Sequence, residues 1–149
     1  MSANYTVKLE GTAELLQNLA RIDSSIRGTV ALQAVGAGAQ QIKGRAVINA
    51  PVLTGALKNS GIVHTMNEGD KAVAEISFGG GLRYARIQEF GGTISAKNAK
   101  YLRFRYHGKW AMKKSVTIKG KHYLGNAIDQ EKGSAVNAMA DVIRSFLEQ

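Results

Sequence analysis

The hydrophobic period of this chain changes after Ala50-Pro51, and that change limits the folds open to it. In the long stretch before it, apolar residues recur at helical spacing; from Gly61 they alternate, until a closing helix. The residue before a proline avoids the helical region, so the upstream helix must end here. Pro51 is the only proline in 149 residues, a length that supports one domain with one core. Asp23-Ser24-Ser25 is a polar break able to cap a helix from about Ser25 to about Asn49. Its stripe is Ile26, Val30, Ala34, Ala39, Ile42 and Ala46. Gly36 and Gly38 weaken that helix by up to about 1 kcal/mol each relative to Ala. Such small residues admit close approach of another backbone, from within the chain or from a neighbouring subunit. An earlier helix opens at Gly11-Thr12, with Thr12 as N-cap and Leu15, Leu16, Leu19 and Ile22 at helical spacing. Tyr5 to Leu9 alternates weakly, as a short strand or a lead-in.

After the break, Thr54-Gly55-Ala56-Leu57 forms a turn that can open one further helical turn. Gly61–Met66 and Lys71–Phe78 read as strands joined through Asn67-Glu68-Gly69-Asp70, a hairpin signal. Ala74, Ile76 and Phe78 share one face of the second strand. Tyr84 to Phe90 reads as one helical turn or a bent strand, stopped by Gly91-Gly92. Tyr101 to Tyr106 alternates, with Leu102, Phe104 and Tyr106 opposite Tyr101, Arg103 and Arg105. His107-Gly108-Lys109 then turns the chain, and Trp110 to Ile118 returns as a strand. Gly125 precedes a closing helix from about Asn126 to Leu147, with a stripe of Ile128, Val136, Met139, Ala140, Ile143 and Phe146 or Leu147. The expected fold is α+β, in one domain spanning 1–149: two N-terminal helices, a mainly antiparallel sheet with a long basic β-hairpin, and a C-terminal helix.

The net charge of +9 is not spread over this fold. No acid occurs between Glu89 and Asp129, and that stretch carries Lys97, Lys100, Arg103, Arg105, Lys109, Lys113, Lys114, Lys119 and Lys121. The remaining eleven basic residues balance all eleven acids, so one segment, about 97–121, holds the whole imbalance. A local field of this kind steers acidic partners, whether nucleic acid or protein. Basic residues interleaved with aromatics on a sheet can stack single-stranded bases. The alternation, however, puts Phe104 and Tyr106 on the face opposite the arginines, so the aromatics are expected to turn inward as a core-packing face. Duplex contact by Lys and Arg alone stays open, because phosphate binding needs no aromatic.

Little in the sequence points to catalysis. His64, His107 and His122 lack metal-like spacing. The absence of Cys excludes disulfides and thiolate sites. No serine lies in a nucleophile elbow. Gly79-Gly80-Gly81 lacks the ending of a phosphate-binding loop and is expected to serve positive φ or close packing. No cofactor, metal or small-molecule substrate is expected. There is no basic-then-apolar leader and no run of roughly 20 apolar residues, so neither a signal peptide nor a membrane partner is expected.

Three segments in order carry a more specific signal. They are Ala50-Pro51-Val52-Leu53-Thr54-Gly55-Ala56-Leu57, then Tyr84-Ala85-Arg86-Ile87-Gln88-Glu89-Phe90-Gly91-Gly92, then Val116 to Ala127 with Tyr123-Leu124 before the last helix. Together, from about Val7 to the C-terminal helix, they resemble the tailed-phage minor tail-component family typified by gene product ten of phage Hong Kong ninety-seven. Related virion-morphogenesis proteins of Mu-like phages look similar in the third segment. The family often has Pro and Arg before its aromatic-Leu pair, where this chain has Lys119-Gly120-Lys121-His122, which implies a less rigid loop.

The resemblance implies a structural virion subunit at the head–tail junction, assembled in the bacterial host cytoplasm. It would form a homo-oligomeric ring, hexamer or dodecamer, around the DNA channel, completing the tail and joining it to the head. A tail terminator or a head-side adaptor of the same neck is the alternative, and a DNA-binding module is the alternative of another class. The implied structural residues are Pro51, Thr54, Gly55, Leu57, Tyr84, Glu89, Phe90, Gly91, Tyr123 and Leu124, with Tyr84 and Phe90 as core anchors. The basic hairpin would meet a neighbouring subunit, an adjacent neck or tail protein, or the DNA in the lumen. A protein contact is preferred, since tight DNA binding in a lumen would retard ejection.

Overall fold

The computed structural model describes residues 3–7, 24–52 and 54–148. The expected helix from Thr12 to Ile22, and the side chain of Ile26, lie outside them. Strand β1 (Ala3–Val7) is followed by helix α1 (Ser24–Asn49), within one residue of its expected start. The corner at Ala50-Pro51 leads into a short helix, α2 (Ala56–Asn59), which Gly55 opens in the left-handed region at φ 81°. Strands β2 (Ile62–Glu68) and β3 (Lys71–Phe78) follow, in antiparallel register from Ile62 opposite Ser77 to Glu68 opposite Lys71. β1 pairs antiparallel on the other edge of β3, giving the order β1-β3-β2. Ala74, Ile76 and Phe78 are buried on one face, as their period-two spacing requires.

Helix α1 is buried on two sides, which explains its stripe of small residues. A methyl at Gly36 would sit 3.3 Å from the Thr65 side chain on β2. A methyl at Gly38 would sit 2.9 Å from Met139 Cγ and 3.1 Å from the Ala135 carbonyl on helix α4 (Tyr123–Leu147). Of the two readings of these glycines, the structure realises the contact within the chain. α1 and α4 run antiparallel, tied by Arg45 Nη2 to Glu131 Oε1 at 2.6 Å and by the Asn49 amide to Gln130 Oε1 at 3.2 Å. Hydrogen bonds from Ser134 and Arg45 hold the Glu131 carboxyl below its ordinary range.

The core lies between sheet and helices: Val30, Ala34, Ala39, Ile42, Ala46, Leu57, Ile76, Phe78, Leu124, Met139 and Ile143 are all buried. Phe78 meets Tyr123 edge-on at 5.5 Å. The α4 stripe is narrower than its apolar residues suggest. Val136 and Leu147 are exposed, and Ala135 takes the buried position against Gly38. The α4 start is also corrected. It begins at Tyr123, so Tyr123, Leu124 and Gly125 belong to the helix.

Candidate functional site

The acid-free stretch forms an arm built from two short ladders. Strands β4 (Gly92–Ser95) and β7 (Ser115–Ile118) make the stem, in register from Gly92 opposite Ile118 to Ser95 opposite Ser115. Strands β5 (Leu102–Tyr106) and β6 (Lys109–Lys113) make the outer ribbon. Two sequence expectations are corrected here. Trp110 to Ile118 is two strands broken at Lys114, and Gly92, read as part of a stop, opens a strand, Gly92–Ser95. The stem continues one bond further through Ala96 N–H to the Lys114 carbonyl at 3.0 Å. Both residues of the β5–β6 turn have positive φ, His107 at 48° and Gly108 at 77°, the handedness that matches strand twist in a two-residue hairpin.

No residue from Phe90 to His122 is buried. Residues opposite one another in the β5–β6 ladder share a face. One face therefore carries Arg103, Arg105, Trp110 and Met112; the other carries Leu102, Phe104, Tyr106, Lys109, Ala111 and Lys113. The expectation that the aromatics turn inward is met only in part. Phe104 is half-buried, but Tyr106 is 64% exposed and Trp110 61% exposed on the arginine face. The Arg103 guanidinium lies over the Trp110 ring at 4.4 Å from its centroid, and Arg105 lies at 5.7 Å. Among the described residues no carboxylate forms an ion pair with any of the nine cations. Lys97 and Lys100 sit in the bend between β4 and β5, and Lys119 and Lys121 lie at the root.

The root is where the second and third segments of the pattern meet. Helix α3 (Ala85–Phe90) is buried at Ala85 and Glu89, whereas Tyr84 and Phe90, expected as core anchors, are 40% and 47% exposed. The anchor is Glu89, which is fully buried. Its Oε2 accepts the Leu124 N–H and its Oε1 accepts the Gly125 N–H, both at 3.0 Å. The first N–H groups of a helix lack partners within it. α4 has no cap of its own, because His122 at its N-cap is left-handed and offers no side-chain hydrogen bond. Glu89 supplies the missing acceptors from another element, with its charge at the positive end of the helix dipole. The main chain joins in: Lys121 N–H donates to the Gln88 carbonyl at 2.7 Å and His122 N–H to the Glu89 carbonyl at 3.0 Å. The loop expected to be less rigid is thus bonded to α3 through its backbone.

Gly91 and Gly120 let the two arm roots touch. A Cβ at Gly91 would lie 2.6 Å from Gly120 N, and one at Gly120 would lie 2.7 Å from the Glu89 carbonyl oxygen. The Gly79-Gly80-Gly81 loop acts as expected. Gly79 has φ 84° and leaves no room for a Cβ, which would fall 2.1 Å from the buried Ala85 methyl. Next to Glu89, the Tyr123 hydroxyl is buried without a hydrogen-bond partner; burial, aided by the Glu89 charge, pushes its pKa up.

Among the described residues, no cluster of three His, Asp or Glu is placed to hold a metal ion, and no helix is long and apolar enough to cross a membrane. Comparison with known families gives a match. The family model described as "Bacteriophage HK97-gp10, putative tail-component" covers residues 13–91, which includes the Ala50–Leu57 corner and the Tyr84–Gly91 segment and stops where the arm begins. No curated protein and no solved structure matches the chain.

Proposed function

The chain belongs to the HK97-gp10-like family of bacteriophage tail components, and from that premise we propose that it forms a ring at the virion neck that completes the tail and joins it to the head. Membership makes it a structural protein of the virion whose partners include other virion proteins. The finer reading is carried by the arm. A segment from Gly92 to Ile118 that buries none of its own residues contributes little to the body it leaves, and gains a role when covered by a neighbour. Ring subunits meet through unlike patches, one on each side, and a projecting arm is such a patch. In this reading the arm reaches an adjacent subunit or an adjacent ring of the neck, and assembly proceeds in the host cytoplasm before the virion is released.

Charge reversal at Lys113 and Lys114, both exposed at the joint between the two ladders, tests it. The variant Lys113→Glu/Lys114→Glu is expected to keep the circular dichroism spectrum of the parent while full heads and finished tails accumulate separately in electron micrographs. Normal numbers of joined particles would remove the arm as the docking element. Neck density with six or twelve copies of this fold would support the ring.

A further inference from the structure

We propose that the face of the β5–β6 ribbon bearing Arg103, Arg105 and Trp110 binds the phosphate backbone of double-stranded DNA through its two guanidinium groups. The inference rests on the geometry of the ribbon, does not require the neck reading, and departs, for this one face, from the protein contact preferred on the sequence.

Arg103 lies over one face of the Trp110 ring, 4.4 Å from the centroid. On that face the guanidinium competes with any base that would stack there, which disfavours a single-strand platform. The same contact argues for the arginines as the binding groups. A guanidinium stacked on an aromatic ring keeps its in-plane N–H donors free, and those donors match an oxyanion two at a time. Stacking also holds two long side chains in place beforehand, which lowers the ordering cost of binding.

A carboxylate would satisfy the same fork, so the choice between an acidic protein and DNA depends on the surroundings. Centres of protein interfaces are enriched in aromatic residues, Met and Arg, as this face with Met112 is, but they are depleted in charge overall and in Lys. Here Lys109 and Lys113 lie on the opposite face of the same ribbon, further cations line the bend and root, and all are exposed with no acid interspersed. Cations spread over both faces suit a partner that is itself a dense, regular line of charge. A two-stranded β-ribbon also has the width that the major groove of B-form DNA admits, and the tight His107-Gly108 turn keeps its tip narrow.

Trp110 is the only tryptophan in the chain, so its fluorescence reports on this face alone. Duplex DNA of mixed sequence is titrated into the intact chain at several salt concentrations, following Trp110 emission and the anisotropy of labelled DNA. Binding is expected to change Trp110 emission and to weaken steeply with salt, with a log–log slope of about −0.9 per phosphate neutralised. Arg103→Lys/Arg105→Lys keeps the charge and loses the planar fork; it is expected to weaken binding about tenfold at fixed salt. Lys97→Gln/Lys100→Gln should flatten the salt slope and preserve the Trp110 response. Equal affinity in the Arg-to-Lys variant, or an unresponsive Trp110 at saturation, overturns the assignment. So does poly-glutamate binding more tightly than duplex through the same two arginines, which would make the partner an acidic protein. Joining of heads to tails is read separately, so failure here leaves the neck reading standing.

Discussion

Glu89 is the one charged side chain fully buried among the described residues, and it is placed where a buried charge is best tolerated. Both of its oxygens accept main-chain N–H groups, and the helix end it faces carries positive partial charge. Losing it would strand two donors. Each buried, unsatisfied donor costs about 1–3 kcal/mol, and loss of an N-cap costs about 1 kcal/mol in its own right. Glu89→Ala is therefore expected to lower stability by about 2–4 kcal/mol, a fall of roughly 5–15 °C in melting temperature for a chain of this size. Glu89→Gln keeps one acceptor oxygen and should lose about half as much. Thermal melts followed by circular dichroism decide the matter. If Glu89→Ala melts within about 2 °C of the parent, water or a rearranged backbone satisfies the α4 end, and the clamp is not what holds it.

At the scale of elements, the glycines of α1 separate two effects that composition merges. Gly38 faces Met139 and the Ala135 carbonyl, whereas a methyl at Gly44 meets nothing within 4 Å. Gly44→Ala should gain about 0.5–1 kcal/mol from helix propensity. Gly38→Ala makes the same propensity gain but forces α4 away, and overpacking costs about 1–3 kcal/mol, so its net effect should be destabilising. Urea midpoints of the two variants should move in opposite directions; movement of both upward would mean that α1 and α4 are not in tight contact at Gly38. The same contrast shows what the sequence made legible. The limits of α1, the buried face of β3, the Gly55 corner and the Gly79 turn follow from local rules, because their partners lie close along the chain or their backbone conformations admit few residues. The start of α4 was not legible, since its cap comes from Glu89 on a different element. Strand β4 was missed because it pairs with β7, more than twenty residues later, and because two leading glycines read as a stop. Alternation alone assigned Phe104 and Tyr106 to a core. Two-period spacing fixes which residues share a face, but it does not say that a body lies beneath that face. Trp110 opposite Arg105 follows from the His107-Gly108 turn register and could have been read from it.

For the whole molecule, the charge divides along the same line as the packing. The body is close to electrical balance, at +2, and the arm holds the rest of the excess; the segment Gly92 to Ile118 carries seven of the twenty basic residues and no acid. That segment contributes no buried residue, while its two ends meet at the Gly91–Gly120 contact beneath the Glu89 clamp. The fold of the body therefore should not depend on the arm. Replacing Gly92–Ile118 by a short Gly-Ser link would span ends that already touch, and it would take the formal charge from +9 to +2. Shortening a surface loop changes closure entropy only slowly with length, by about 0.6 kcal/mol per halving. The armless chain is expected to melt cooperatively within a few degrees of the parent, to elute much earlier from a cation exchanger, and to lose both DNA binding and the joining of heads to tails. Collapse of the cooperative melt would show that the arm supports the body through contacts beyond its root. Retained DNA binding would place the nucleic-acid surface on the body and end the case for the arginine–tryptophan face.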